Sequence, residues 1–245
     1  MAWRSVPAAQ GWAWIAQGWA LFMRNPLVWV LIGVVFTLIF IALHFLPVVG
    51  PLAAVVLTPV FAGGAMLGCR AIERGEPLSF DHLFAGFRER VGALLGVGGL
   101  YLGAVIVIAL VVGLSTGGRL FELMSGGEID PGAIAGAAGT LALAMLLMLA
   151  LLVPVFMALW FAPCLVLFRD RGALAAMGES FVASLANTVP FLLYGLILLA
   201  LSIVASIPAG LGWLVLGPVM AASIYAAYRD IFGSDQVAPA APQPG

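Results

Sequence analysis

The residues that could do chemistry are few, and their spacing works against them. Asp81 and His82 are adjacent. On a helix neighbouring side chains diverge by about 100°, so the two cannot chelate a metal as a pair. Cys69 and Cys164 have no partners at ligand spacing, and two cysteines make no disulfide framework; both are expected as buried free thiols. Neither a metal nor a cofactor is expected. No serine sits in a nucleophile elbow, and His44 and His82 fall on opposite sides of the topology derived below, so no triad can assemble from them. Ser180, Ser184 and Asn187 share one side of a helical segment at i, i+4, i+7. They could line a lipid-headgroup site, or simply cap and hydrate that helix. With convergent titratable groups missing, the chain is not expected to be an enzyme.

The absence extends to the apolar segments. Their interiors carry no Asp, Glu, Lys or Arg, whereas ion-coupled transporters and proton relays normally hold an ionisable group at membrane depth. His44 lies near the outer end of one segment and reads as an interfacial histidine. Of 245 residues, 64% are hydrophobic and 9% charged, with a mean hydropathy of +1.17. A soluble chain is about one quarter charged, so this composition excludes a soluble globular domain and belongs to a membrane protein. A net charge of −1 gives no reason to expect nucleic acid. The first 25 residues contain no compact apolar run ending in a small-residue cleavage site, so no cleaved signal peptide is expected.

Six apolar runs are long enough to cross about 30 Å of hydrocarbon. They cover about 27–46, 52–69, 91–114, 140–168, 191–207 and 211–228. The fourth belongs to a longer stretch, Ile134–Phe168, whose 35 residues would make a helix of roughly 50 Å. It is either one span projecting outward or two broken at Pro154. Charge decides. With six spans and the amino terminus inside, nine of the ten arginines are cytoplasmic and only Arg119 is outside. Splitting the fourth stretch weakens that to six against four. Six spans, with both termini cytoplasmic, is the expectation. Residues 1–232 then form one membrane domain, and the Pro/Ala-rich stretch 233–245 a disordered tail.

Three segments are too short or too polar to span. Gln10–Arg24 carries Trp12, Ile15, Trp19 and Phe22; behind a Ser79 cap come Phe80, Leu83, Phe84 and Phe87; the third carries Leu174, Met177, Phe181 and Leu185. Each reads as a helix lying in the cytoplasmic interface, with Trp12, Trp19, Phe80, Phe84, Phe87 and Phe181 as anchors. Each precedes an outward and a return span, which predicts a threefold internal repeat. The return spans share a faint echo in Pro59-Val60-Phe61, Pro154-Val155-Phe156 and Pro218-Val219-Met220. Pro59, Pro154, Pro163 and Pro218 are candidate helix breaks, marking either a substrate cavity or a packing device. Gly64/Gly68, Gly92/Gly96, Gly99/Gly103 and Gly132/Gly136 fit small-xxx-small packing within the bundle.

Several stretches are familiar. Val6-Pro7-Ala8-Ala9-Gln10-Gly11-Trp12, Leu21-Phe22 and Asn25-Pro26 resemble the opening of an uncharacterised bacterial inner-membrane protein family, the BPSS-type. So do Ala71-Ile72-Glu73-Arg74-Gly75-Glu76-Pro77 with Leu83-Phe84-Ala85-Gly86-Phe87, and Trp160-Phe161-Ala162-Pro163 followed by Ser180 and Asn187. The last set is also similar to YciC-like membrane proteins of unknown function. The resemblance covers nearly the whole chain and departs mainly in Gly117–Pro131. It implies a helical inner-membrane bundle and supplies no activity. The expected fold is therefore an all-α, six-span bundle with three cytoplasmic-side interfacial helices. Its expected role is structural or interactive, with membrane lipids and a protein partner or second copy as partners; an uncoupled transporter or channel for a neutral or apolar solute is the alternative.

Overall fold

The computed structural model describes residues 3–116 and 134–233. Its elements are all helices: α1 (Gln10–Arg24), α2 (Pro26–His44), α3 (Val49–Glu73), α4 (His82–Ala85), α5 (Val91–Ser115), α6 (Ile134–Trp160), α7 (Ala162–Arg169), α8 (Ala173–Ala186), α9 (Thr188–Ser206) and α10 (Trp213–Phe232). The expected tail from Ser234, the whole Gly117–Pro131 loop with Arg119, and Gly132 lie outside the described residues.

Five stretches are long and apolar enough to cross a membrane: Pro26–His44, Val49–Glu73, Val91–Ser115, Ala138–Arg169 and Thr188–Ser206. The sixth expected span coincides with α10, whose polar residues Ser223, Tyr225, Tyr228, Arg229 and Asp230 hold its hydropathy down. Its position explains the composition. α10 is packed by α1, α2, α3 and α9, so most of its surface meets protein and needs no lipid-compatible side chain. At 20 residues it is still roughly 30 Å long. α2 and α6 are the opposite case. Only 11% of the Pro26–His44 window and 6% of the Ala138–Arg169 window are buried. Leu27, Leu38, Met145, Leu146 and Leu149 point outward, as lipid-facing side chains do.

The long fourth stretch is broken, but not at Pro154. α6 runs through Pro154, halts at Phe161 and resumes as α7. Pro163 occupies the first turn of α7, where its missing N–H is no loss. α3 and α10 likewise continue through Pro59 and Pro218, both buried. The core is aromatic towards one end of the bundle. Trp14 lies 5.4 Å from Phe191 and 5.9 Å from Tyr194; Phe161 and Phe232 are 5.4 Å apart; Tyr228 stacks on Phe232 at 5.3 Å. Without water to drive association, such dense contact supplies the cohesion between the helices.

Close helix approach depends only in part on the glycines the spacing suggests. In α5 the tight contact is Gly98 against the Val56 carbonyl, while Gly92, Gly99 and Gly103 have open space beside them. Gly64 and Gly68 are packed under α4 and its approach loop.

Candidate functional site at the basic end

All nine described arginines gather at one end of the bundle, and ion pairs stitch its pieces together. Arg4 pairs with Asp230 at 2.6 Å, Arg70 with Glu89, Arg90 with Asp170, Arg169 and Arg171 with Glu179, and Arg229 with Glu73. Arg24 donates to the Ile72 carbonyl at 3.2 Å. The N-terminal segment lies against the end of α10: Arg4 N donates to Ile231 O at 2.8 Å. Both ends of the described chain therefore share this end. Exposed pairs of this kind contribute little individually; their value lies in register between elements.

Here the three short helices cross the long ones, and each crossing uses a backbone carbonyl at i and an amide at i+4. In α1, a Cβ on Gly18 would come within 2.7 Å of both Val219 O and Ser223 N of α10. Just after α4, a Cβ on Gly86 would strike Val60 O and press on Gly64 N of α3. Only glycine permits such an approach. In α8 the crossing residue is Ser180, which donates to Met157 O at 2.7 Å and accepts from Phe161 N at 3.0 Å. Ser180 thus satisfies the amide and carbonyl exposed where α6 breaks, as buried backbone groups require.

The three polar candidates are all buried and all engaged. Ser184 also donates to Met157 O, at 3.3 Å. Asn187 accepts from Val6 N at 2.9 Å and donates to Arg4 O and Ala183 O. Their hydrogen-bonding capacity is spent on protein backbone, tying α8 to the α6–α7 break and to the N-terminal segment. Ser79 does not cap α4: Asp81 holds the N-cap position without a side-chain bond, and Ser79 instead meets His82 Nδ1 through its N–H at 3.1 Å.

The aromatic anchors divide by face. Trp12 and Trp19 are 60% and 49% exposed, while Ile15 and Phe22 from the same expected stripe are buried. Phe80 and Phe87 are partly exposed, and Phe61 of α3 makes ring contacts with Phe84 and Phe87. Phe181 is half-buried beside exposed Val182, Leu174 and Leu185. Spacing alone missed Trp14, fully buried with Nε1 donating to Asp230 Oδ2 at 3.0 Å. It also missed Gly18 and Gly86. One signal was available: Gly18 and Ser180 each stand seven residues before an asparagine, Asn25 or Asn187, that opens the next long helix. A cavity of about 570 Å³ opens between the N-terminal segment, α1 and the last turns of α10.

No group of three or more His, Cys, Asp or Glu converges among the described residues. Cys69 and Cys164 are both buried, and neither forms a disulfide.

No family model matches the chain, and no solved structure matches it. A probable inner membrane protein of Burkholderia thailandensis is 31% identical over 260 aligned residues, which span 97% of this chain and 96% of the relative. Identity end to end, in a helical chain with several membrane-crossing segments, settles the broader assignment: the chain belongs to the same family of multi-pass bacterial inner-membrane proteins.

Proposed function

We propose that the protein is a structural and interaction component of the inner membrane, working through helix packing and through three interfacial helices at the basic end. The observation that carries this reading is the docking of α1, α4 and α8. Each is seated by its small residues on a long helix and turns large apolar side chains outward, among them Trp12, Trp19, Phe87, Leu174 and Leu185. Helices held this way order the surrounding lipid and offer a ready surface to another membrane protein.

The same contacts support a threefold repeat of interfacial helix, outward span and return span. Val60 and Gly64 follow Pro59 by one and five positions, and Val219 and Ser223 follow Pro218 by the same offsets. Each interfacial helix sits on the return helix of the preceding repeat, with α1 closing the ring on α10. The contact of Arg4 with Asp230 supports an even number of crossings, with α10 joining the five apolar stretches as a sixth span. The arginine-rich end is then the cytoplasmic end, with both termini there. The chain is not an enzyme in this reading, and nucleic acid is not a partner.

In-cell crosslinking followed by gentle extraction tests the role. The expected result is a reproducible protein partner or second copy, lost when Phe84 and Phe87 are both replaced by Ser. A solute-dependent flux in liposomes, abolished by replacing Pro59 or Pro218, would overturn it in favour of a transporter for a neutral solute.

A further inference from the structure

We infer that the cavity beside α1 is a binding site for a small phosphate-bearing molecule that enters from the aqueous side. Trp3, Arg4, Gln10, Gln17, Arg229 and Asp230 are among its lining residues. Its volume of about 570 Å³ lies in the range of small-molecule sites, roughly 300–1,000 Å³.

The hydrogen-bond balance around it is one-sided. Both oxygens of Asp230 are engaged: Oδ1 accepts from Arg4 Nη2, and Oδ2 from Trp14 Nε1. Glu73, behind Arg229, accepts from Tyr225 Oη and pairs with Arg229 Nη1. The donors are not saturated. Arg229 uses Nη1 on Glu73, which leaves Nη2. Arg4 uses Nε and Nη2, on Asp230 O and Oδ1, which leaves Nη1. The lining residues carry two guanidiniums against one carboxylate, with the amides of Gln10 and Gln17 beside them. Spare guanidinium and amide donors in a concave site match an acceptor-rich anion, and a phosphate group, with three terminal oxygens, can accept from more of them at once than a carboxylate can.

The side of approach follows from helix geometry. Gln10 and Gln17 are seven residues apart and so lie within roughly 20° of each other around α1, whereas Trp12 and Trp19 lie roughly 180–200° away from Gln10. The buried face, with Gly11, Trp14, Ile15, Gly18 and Phe22, falls between them. With the exposed tryptophans directed to lipid, the glutamines face water, and α1 itself separates the cavity from the acyl chains. A soluble phosphate ester therefore reaches the site more directly than a lipid headgroup does. The assignment goes beyond the scaffold reading and uses only the cavity, so its failure would leave that reading standing.

The test is thermal unfolding of the full-length protein in detergent, titrated at constant ionic strength with inorganic phosphate and with glycerol 3-phosphate against chloride. Both probes should give saturable stabilisation. Gln17→Glu, an exposed position that places a negative charge at the mouth, should raise the apparent dissociation constant about tenfold or more while leaving the chloride-only transition unchanged. Arg4→Gln should weaken binding as well; because it also releases Asp230, Gln17→Glu decides if Arg4→Gln proves unstable. No saturable effect, or one that Gln17→Glu leaves intact, would overturn the inference. A response confined to nanodiscs containing phosphatidylglycerol, absent with both soluble probes, would also overturn it and assign the site to a lipid headgroup.

Discussion

Asn187 shows how a polar residue in a membrane protein can be wholly committed to structure. Buried at the foot of α9, it bridges the N-terminal segment and α8 through Val6 N, Arg4 O and Ala183 O. Leaving such backbone groups unpaired costs about 1–3 kcal/mol each. Asn187→Leu should therefore lower the thermal transition and free the N-terminal segment, which trypsin will report by cleaving after Arg4 in an otherwise intact chain. An unaltered digestion pattern would contradict the bridging role. Ser180→Ala orphans Phe161 N, while Ser184 still reaches Met157 O, so a smaller loss of about 1 kcal/mol is expected from unfolding measurements. The grouping of Ser180, Ser184 and Asn187 on one side of a helix is legible in the sequence, because i, i+4, i+7 spacing is geometry. It could not say which way that face points. Burial in a lipid-embedded protein follows small size and hydrogen-bonding opportunity rather than apolarity.

The same inversion governs the elements. The limits of α1 are legible in the sequence, Gln10 to Arg24, since Asn25-Pro26 stops one helix and starts the next. Its packing face was only half legible. Ile15 and Phe22 turn inward, but Trp14, Gly11 and Gly18 complete that face, and Trp12 and Trp19 are left outside. A hydrophobic stripe identifies a core face only when the alternative is water; at an interface the stripe has lipid on offer as well. α10 is the mirror image, a helix too polar for a hydropathy criterion because protein surrounds it. The steric demand at Gly18 gives the sharpest element-level prediction. Gly18→Leu would drive a side chain into Val219 O and Ser223, and backbone cannot retreat far, so a loss of about 3 kcal/mol and exposure of Trp14 to solvent or lipid are expected. Intrinsic fluorescence and thermal unfolding read both. Gly103→Ala in α5, where nothing lies within 4 Å, should be neutral or stabilise by up to about 1 kcal/mol. Equal damage from the two substitutions would show that the crossing at Gly18 is not tight.

At the scale of the whole molecule, composition alone declared the membrane, and the arginine bias proposed one end as cytoplasmic. The closure of the bundle was not legible in the sequence, because contacts such as Arg4 with Asp230 join residues more than two hundred positions apart. That contact is the observation behind our proposal of an even number of crossings, six rather than five. The most direct test is site-directed labelling with a membrane-impermeant maleimide, using single substitutions Arg74→Cys, Arg88→Cys, Leu46→Cys, Ala209→Cys and Gly233→Cys. Cys69 and Cys164 are buried and stay silent in the folded protein. In intact spheroplasts, Leu46→Cys and Ala209→Cys should label, and Arg74→Cys and Arg88→Cys should label only after permeabilisation. Gly233→Cys, just after α10, should likewise label only after permeabilisation; if it labels in intact spheroplasts, α10 does not cross, and the six-span, both-termini-inside account is wrong.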